Sequence, residues 1–509
     1  MGQLGHLLRC LQLRGEERGE EMQLPIQIDN SSRHSLQQQI FDAIRALILD
    51  GRLPPGAALP ASRALSEQLS VSRNTVLLVY ERLLGEGYLQ TQASVGTFVN
   101  HSLPEATLQA RPGEHRSQAG QRSMRRQTLP FRGRAQALVN PNRHRLAFDF
   151  WVGRPDPHSF PGKAWRRLLQ HYLSIGGRRL TEYSDPAGLL QLRHAIAEHL
   201  GPARGIQTGP DRIVIVSGIQ QALNIVARLF IHPTADVVLE WPCYQGAAYL
   251  FESYGATVRP VPVDEHGLDT AQLPDGTISL AYVTPSHQYP LGSTLALERR
   301  IRLLEWAWEV GAYIVEDDYD SDFRYTGSPL TALAGLDACG AVIYLGTFSK
   351  SIGASLRLGY MVLPAELVEP AQIAKALLDN GQPWLEQAVL ADFIANGSYA
   401  NHLRRIRQLY RQRRDCLVAA LTTHFGPVRL GGLEGGMHIV WKLPPQLPDA
   451  PQVQALALQA GVGVYALDGG AATDFDQPGY REKTLLLGYS SLTEDEIQAG
   501  IARLAQALR

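Results

Sequence analysis

Apolar residues return at helical spacing in Leu36, Ile40, Ile44, Leu47 and Ile48, which predicts a helix over residues 35–50 with one buried face. Gly51 and Leu53-Pro54-Pro55-Gly56 end it and turn the chain. A second, short helix is predicted at about 61–69, and Ser70-Val71-Ser72 breaks it. Ser72 is then placed as the N-cap of a third helix, whose Val76, Val79, Tyr80 and Leu83 face inwards. Arg73, Asn74 and Thr75 are left projecting from its first turn. Between Gly87-Tyr88-Leu89 and Gly96-Thr97-Phe98-Val99, alternation and glycine punctuation predict a small β-wing.

After residue 146 the pattern changes. Short β-branched runs, among them Ile213–Val216, Val237–Leu239, Ile278–Val283, Tyr313–Val315 and Ala341–Leu345, alternate with amphipathic helical stretches. That order predicts an α/β domain on a mostly parallel, buried sheet. From about residue 400 helices and mixed strands return, and a smaller α+β lobe is expected. Between the two patterned regions, residues 101–145 carry nine arginines against two glutamates, with prolines at 104, 112, 130 and 141. They read as a basic flexible linker. The expected organisation is therefore an N-terminal extension (1–29, disordered), a head (30–100), the linker (101–145) and a large domain (146–509).

A length of 509 residues fits more than one domain, and 45% apolar with 19% charged residues fits a soluble chain. No apolar run nears the roughly 20 residues of a membrane span, and no signal peptide is expected. Four scattered cysteines argue against a disulfide framework or zinc site, so a cytoplasmic location and no metal are expected. The net charge of −1 gives no global pull towards nucleic acid, so DNA binding must be local.

In a helix-turn-helix the N-terminal residues of the second helix reach base edges, and arginine and asparagine pair with guanine and adenine. Ser72, Arg73, Asn74 and Thr75 occupy that position, while Ser62 and Arg63 suit phosphate contacts. A plain three-helix subdomain with solvated polar residues is the competing reading.

In the large domain Lys350 follows a predicted strand in Gly346-Thr347-Phe348-Ser349-Lys350, and Arg357 comes seven residues later. A lysine at a strand end can condense with an aldehyde, while Thr347, Ser349 and Arg357 can hold a phosphate. Ser217-Gly218-Ile219-Gln220 links a strand to a helix, where backbone N–H groups favour phosphate. Glu316-Asp317-Asp318-Tyr319-Asp320 ends another strand, and an aspartate there could keep a pyridine nitrogen protonated. Tyr244 could lie on the ring face. Each feature alone also fits an exposed loop lysine, a solvated acidic loop or a core tyrosine.

The segment LPASRALSEQLSVSRNTVLLVYERLLGEGYL, followed by VGTFV, closely resembles the GntR winged-helix pattern. From residue 146 onward the chain resembles fold-type-I aminotransferases, in the MocR-type (GabR-like) branch of GntR regulators. The carrying segments are SGIQQAL, EWPCYQG, TPSHQYPLG, EDDYDSDFRY, GTFSKSIGASLRLGYMVLP, GGMHIVW and LLLGYSSL. The resemblance implies a winged helix-turn-helix head on an α/β aminotransferase-like domain that binds pyridoxal 5′-phosphate. By position it implies Lys350 as the Schiff-base lysine, Asp317 as the pyridinium partner and Tyr319 on the ring's phenolic oxygen. Tyr244 would stack on the ring, and Gly218, Ile219, Gln220, Thr347, Ser349 and Arg357 would surround the phosphate. Tyr289 stands where enzymes of this fold carry an asparagine on the ring oxygen, and Leu486 where many carry a carboxylate-binding arginine.

These departures imply a regulator rather than a physiological enzyme, with partial transamination left open. Its partners would be operator DNA, a second copy of the chain in a homodimer, and a small amine, an amino acid or the cofactor itself as effector. A working aminotransferase with a fused DNA-binding head is the alternative. A decayed cofactor site that only dimerises is the other.

Overall fold

The structure, a computed structural model, describes residues 23–29, 31–32, 34–92, 95–103, 140, 142–327, 330–475 and 479–509. Residues 1–22 of the expected extension and 104–139 of the expected linker lie outside them. The chain divides into two compact units, Met1–Gln127 and Thr128–Arg509. Among the described residues no helix is long and apolar enough to cross a membrane.

In the first unit α1 (Leu36–Leu49) buries Ile40, Phe41, Ile44, Leu47 and Ile48, and Ser35 caps it by accepting from the Gln38 amide. Helix α2 (Ser62–Leu69) stops at Ser70, which takes a left-handed conformation, and α3 (Arg73–Gly85) starts at its cap Ser72. Strands β1 (Leu89–Gln92) and β2 (Gly96–Val99) pair antiparallel from Leu89↔Val99 to Gln92↔Gly96. The Tyr80 hydroxyl donates to the Pro60 carbonyl at 2.8 Å and ties α3 to the turn before α2. The packed head begins earlier than residue 30. Leu24 is buried in the same core, and the Gln68 side chain bonds both its amide and its carbonyl.

The second unit is built on an eight-stranded sheet. In chain order its strands are β3 (Ile213–Val216), β4 (Asp236–Trp241), β5 (Thr257–Asp264), β6 (Gly267–Leu268), β7 (Leu280–Val283), β8 (Tyr313–Asp318), β9 (Val342–Thr347) and β10 (Gly359–Val362). Their spatial order is β3-β10-β9-β8-β7-β4-β5-β6. Strands β9, β8, β7, β4 and β5 run parallel. β10 runs antiparallel to both β9 and β3, so β3 keeps the common direction. Both faces are covered, as continuous β-branched runs require. Val214, Val216, Leu280, Tyr282, Val315, Ile343 and Leu345 pack on one side, and Val238, Ala281, Val283, Ile314 and Val342 on the other.

The smaller lobe has a four-stranded antiparallel sheet, β11 (Arg429–Gly431), β12 (His438–Lys442), β13 (Tyr465–Ala466) and β14 (Thr484–Gly488), in the order β11-β12-β14-β13. The long helix Ser398–Phe425 and the last helix Glu494–Ala507 share a core with it through Leu417, Leu421, Ile439, Trp441, Ile497 and Ile501. The lobe also takes in residues from far upstream, because Phe148–Asp149 pairs in parallel with Val462–Gly463. Asn140 donates to Asp149 at 2.8 Å, and Tyr465 donates to the same carboxylate at 2.5 Å. Asn140 therefore belongs to packed structure, inside the stretch expected to be linker.

Candidate functional site

Six co-directional strands end at one edge of the large sheet, where open α/β sheets hold ligands, and five of them lead into candidate residues. Gly218 follows β3, Tyr244 follows β4, Tyr289 lies beyond β7, Asp317 ends β8 and Lys350 follows β9.

Asp317 accepts from the buried Tyr282 hydroxyl at 2.7 Å through one carboxylate oxygen. Its other oxygen, Oδ1, is buried with no hydrogen-bond partner. Burial, reinforced by Asp318 and Asp320, pushes the Asp317 carboxyl up to about 7. The rest of the acidic run is not solvated either. Glu316 accepts from the Leu333 and Ala334 amides, both at 2.9 Å. Asp318 pairs with buried Arg204 at 2.7 Å, and Asp320 contacts His287 Nδ1 at 2.9 Å.

Lys350 stands in a widened helical turn, Ser349–Gly353. Its Nζ donates to the Gly153 carbonyl at 2.8 Å. Gly153, at φ 73°, takes a left-handed conformation that favours glycine, and a Cβ there would sit 2.7 Å from Nζ and displace it. Burial lowers the lysine's pKa, and Arg357 adds to this against the opposing pull of Asp320 and Asp317. Arg357 adopts a left-handed conformation, φ 53°, and lays its guanidinium against Gly218, where a Cβ would meet it at 2.9 Å. Gly218, at φ 107°, precedes the helix Ile219–Phe230, so the Ile219 and Gln220 amides open that helix without intrahelical acceptors. Thr347 and Ser349 bond to each other at 3.0 Å between hydroxyls. The Gln220 side chain turns away, donating to the Gly246 carbonyl at 3.2 Å.

Three tyrosines stand edge to face: Tyr244 with Tyr289 at 6.0 Å, and Tyr289 with Tyr319 at 6.1 Å. The Tyr289 hydroxyl donates to the Gly470 carbonyl, which commits it to the lobe rather than to a ring oxygen. Tyr319 contacts the carbonyl and Nδ1 of His287, each at 3.1 Å. Behind it, His287, Asp320 and His438 bring their nitrogen and carboxylate atoms within 4.8 Å of one another. Burial and the neighbouring His287 push His438 down to about 3. His287, His438, Tyr282 and Gly153 escape the sequence reading, because their partners are distant in the chain.

Chemically, these groups can hold an anion on the Arg357 guanidinium and the amides after Gly218, a cationic ring atom at Asp317 and an electrophilic carbon at Lys350. Burial of an unpaired carboxylate oxygen is unfavourable unless a ligand completes it.

In the head, Ser72 caps α3 and its hydroxyl contacts that of Thr75 at 2.7 Å. Thr75 is half-buried, and its amide and hydroxyl both meet the Ser72 hydroxyl. Arg73 and Asn74 are exposed, and Arg73 Nε lies 3.4 Å from the Ser62 hydroxyl at the start of α2. Arg63 is exposed and pairs with Glu67 at 3.2 Å. If Arg73 reads a base, Arg73→Ala lowers affinity for the cognate operator by about 1–3 kcal/mol and relaxes specificity at one position. A gel-shift titration identical to the parent's would remove Arg73 from the interface.

Fold and site together define a DNA-binding transcription regulator joined to an aminotransferase-fold unit. Residues 36–99 match the family described as bacterial regulatory proteins, gntR family, and residues 156–504 match aminotransferase class I and II. The chain is similar to the probable rhizopine catabolism regulatory protein MocR of Rhizobium meliloti, 34% identical over 94% of this chain and 95% of that one. It is similar also to PdxR of Corynebacterium glutamicum, a pyridoxine biosynthesis transcriptional regulator, 32% identical over 95% of this chain and 98% of that one. Among solved structures, the kynurenine aminotransferase of Pyrococcus horikoshii, in complex with PMP, aligns with a TM-score of 0.64 and 30% identity. That alignment covers 71% of this chain and 90% of the enzyme. The chain belongs to the MocR-type gntR-family regulators, which carry an aminotransferase class I and II domain.

Proposed function

We propose that this protein is a cytoplasmic, homodimeric one-component regulator whose large unit holds pyridoxal 5′-phosphate as a Schiff base on Lys350. Occupancy of that site, by the cofactor itself or by an amine or amino acid reacting there, alters operator binding by the heads. The observation that carries the reading is the buried, unpartnered Oδ1 of Asp317 in a cleft that also holds Lys350. A protonated pyridine nitrogen completes that carboxylate. The phosphate suits Arg357 and the amides after Gly218, and the aldehyde suits an amine whose pKa burial has lowered. When bound, the cofactor supplies an electron-withdrawing ring. The chain's own part is to grip the phosphate, fix the ring's charge and present the lysine.

Regulation requires that the ligand bind two states of the protein unequally. A gel-shift on the DNA upstream of this chain's own gene, run with and without pyridoxal phosphate, tests this. A shift that changes with cofactor alone makes the cofactor the signal, and one that changes only after adding an amine makes the amine the signal. A shift indifferent to both, with steady amine-to-keto-acid turnover, would replace the regulator reading by that of an enzyme with a fused head.

A further inference from the structure

The outward face of α3 is partly apolar. At about 100° per residue, Asn74 and Leu78 stand nearly opposite the buried set Val76, Val79, Tyr80 and Leu83. Arg73 and Leu77 lie on the flank towards α2, where Arg73 Nε reaches the Ser62 hydroxyl at 3.4 Å. Leu77 is 38% exposed and Leu78 42%, and neither belongs to the core of the head. Glu81, next along the outward line, is exposed as well. Its charge keeps phosphates from that turn, so a duplex meets the two turns nearest the Ser72 cap.

A leucine on that face can neither pair with a phosphate nor hydrogen-bond a base edge. In the major groove every base offers donors or acceptors, and the one apolar group is the 5-methyl of thymine. Burying Leu78 against that methyl removes apolar surface of both partners from water, whereas burying it against a donor or acceptor leaves a polar group unpaired. Asn74 and Leu78 are four residues apart, so they stand on one line about 6 Å apart along the helix axis. That is about two base steps of one strand. Asn74, whose amide suits adenine, and Leu78 can therefore address nearby positions of one half-site.

We propose that Leu78 reads thymine: its side chain packs on the 5-methyl group of a thymine in the major groove of the operator. This rests on α3 being the helix that enters the groove. It deepens that reading from a bound duplex to one feature of its sequence, a thymine in each half-site about two base pairs from the base that Asn74 meets.

The test uses the full chain and a duplex that it retards in a gel, taken from the DNA upstream of its own gene or selected from random duplexes. The duplex is made with thymidine and again with deoxyuridine, which removes the methyl groups and keeps the hydrogen bonds of every base pair. The wild-type chain is expected to bind the uracil duplex about 4- to 20-fold more weakly, the worth of one buried methyl in each of one or two half-sites. Restoring thymine one position at a time should recover the loss at a single position per half-site. Leu78→Ala is expected to bind the thymine duplex more weakly by a similar factor and to bind the two duplexes alike. Leu78→Met, still apolar, should go on preferring thymine. Because Leu78 is exposed and alanine favours helix, neither variant should melt at a lower temperature than the parent. Equal wild-type binding to both duplexes overturns the proposal, and so does a methyl effect that survives in Leu78→Ala. If the effect survives there and disappears in Leu77→Ala, the neighbouring leucine is the reader. If it survives there and the oligomeric state changes, Leu78 belongs to a contact between copies of the chain. A chain that retards no duplex at all brings down the DNA-binding reading instead.

Discussion

Lys350→Ala is expected to abolish covalent attachment of the cofactor: no visible band on adding pyridoxal phosphate, and no fixation of cofactor by borohydride. The chain has only five lysines in 509 residues, and their placement makes the outcome sharp. Lys375 is buried against both oxygens of Asp379, at 2.8 and 2.9 Å. Lys483 donates to the Leu447 carbonyl and pairs with Asp449. Lys163 lies near the start of a helix and Lys442 ends an inner strand of the lobe sheet. Lys350 alone of the five stands at the carboxyl edge of the large sheet, within the field of Asp317, Asp320 and Arg357. Condensation needs the unprotonated amine, and burial lowers the pKa of this one, so attachment proceeds nearer neutrality than on a surface lysine. Arg357 and Gly218 remain in the variant, so residual non-covalent binding weakened about 100-fold, near 2.7 kcal/mol, is expected. DNA binding should persist and lose its response to cofactor. A variant that still fixes cofactor on reduction would move the site elsewhere.

Much of this architecture is legible in the sequence because the signals are local. The spacing from Leu36 to Ile48, the cap at Ser72 and the alternation around Gly96 each act within one element, and α1, α3 and the wing form there. The β-branched runs after residue 200 likewise become strands of the large sheet. What escapes depends on partners far along the chain. Leu24 looks like part of a loose extension until Gln68 binds its backbone, and residues 148–149 carry no strand signal until Val462–Gly463 lies beside them. The acidic run 316–320 is ambiguous for the same reason. Its burial is set by Arg204, His287 and the start of the Leu333–Leu336 helix, none of which is adjacent in sequence. Within the candidate site, Lys350, Asp317 and Arg357 stand out through neighbouring residues, whereas the engagement of Tyr289 with Gly470 and of Thr75 with Ser72 depends on side-chain direction.

Asp317→Asn is expected to move stability and cofactor affinity in opposite directions, which separates a ligand-facing carboxylate from a structural one. In the cofactor-free chain the Asp317 carboxyl titrates at about 7, against an ordinary value of 3.8, because burial disfavours its charge. The folded state therefore holds a proton that the unfolded state has released between these values. The stability this confers is fully present below about 4 and is lost as pH rises through 7. At about 1.4 kcal/mol per pKa unit, the ceiling on that loss is about 4 kcal/mol. Glu240, also buried and pushed to about 7, contributes to the same window. An amide carries no such charge, so the cofactor-free variant should melt at a higher temperature than the parent above pH 7 and at nearly the same temperature near pH 4. With cofactor the order inverts. The amide can still accept from Tyr282, but it cannot balance a protonated ring nitrogen, and affinity for pyridoxal phosphate should fall about 100- to 1000-fold, near 3–4 kcal/mol. Melting curves across pH, with and without cofactor, read both effects in one experiment. A variant that is less stable in both states would make Asp317 a packing residue. One that binds cofactor as tightly as the parent would place the ring nitrogen against some other group. Retaining a carboxylate that destabilises the cofactor-free fold makes physical sense only if a cation completes it.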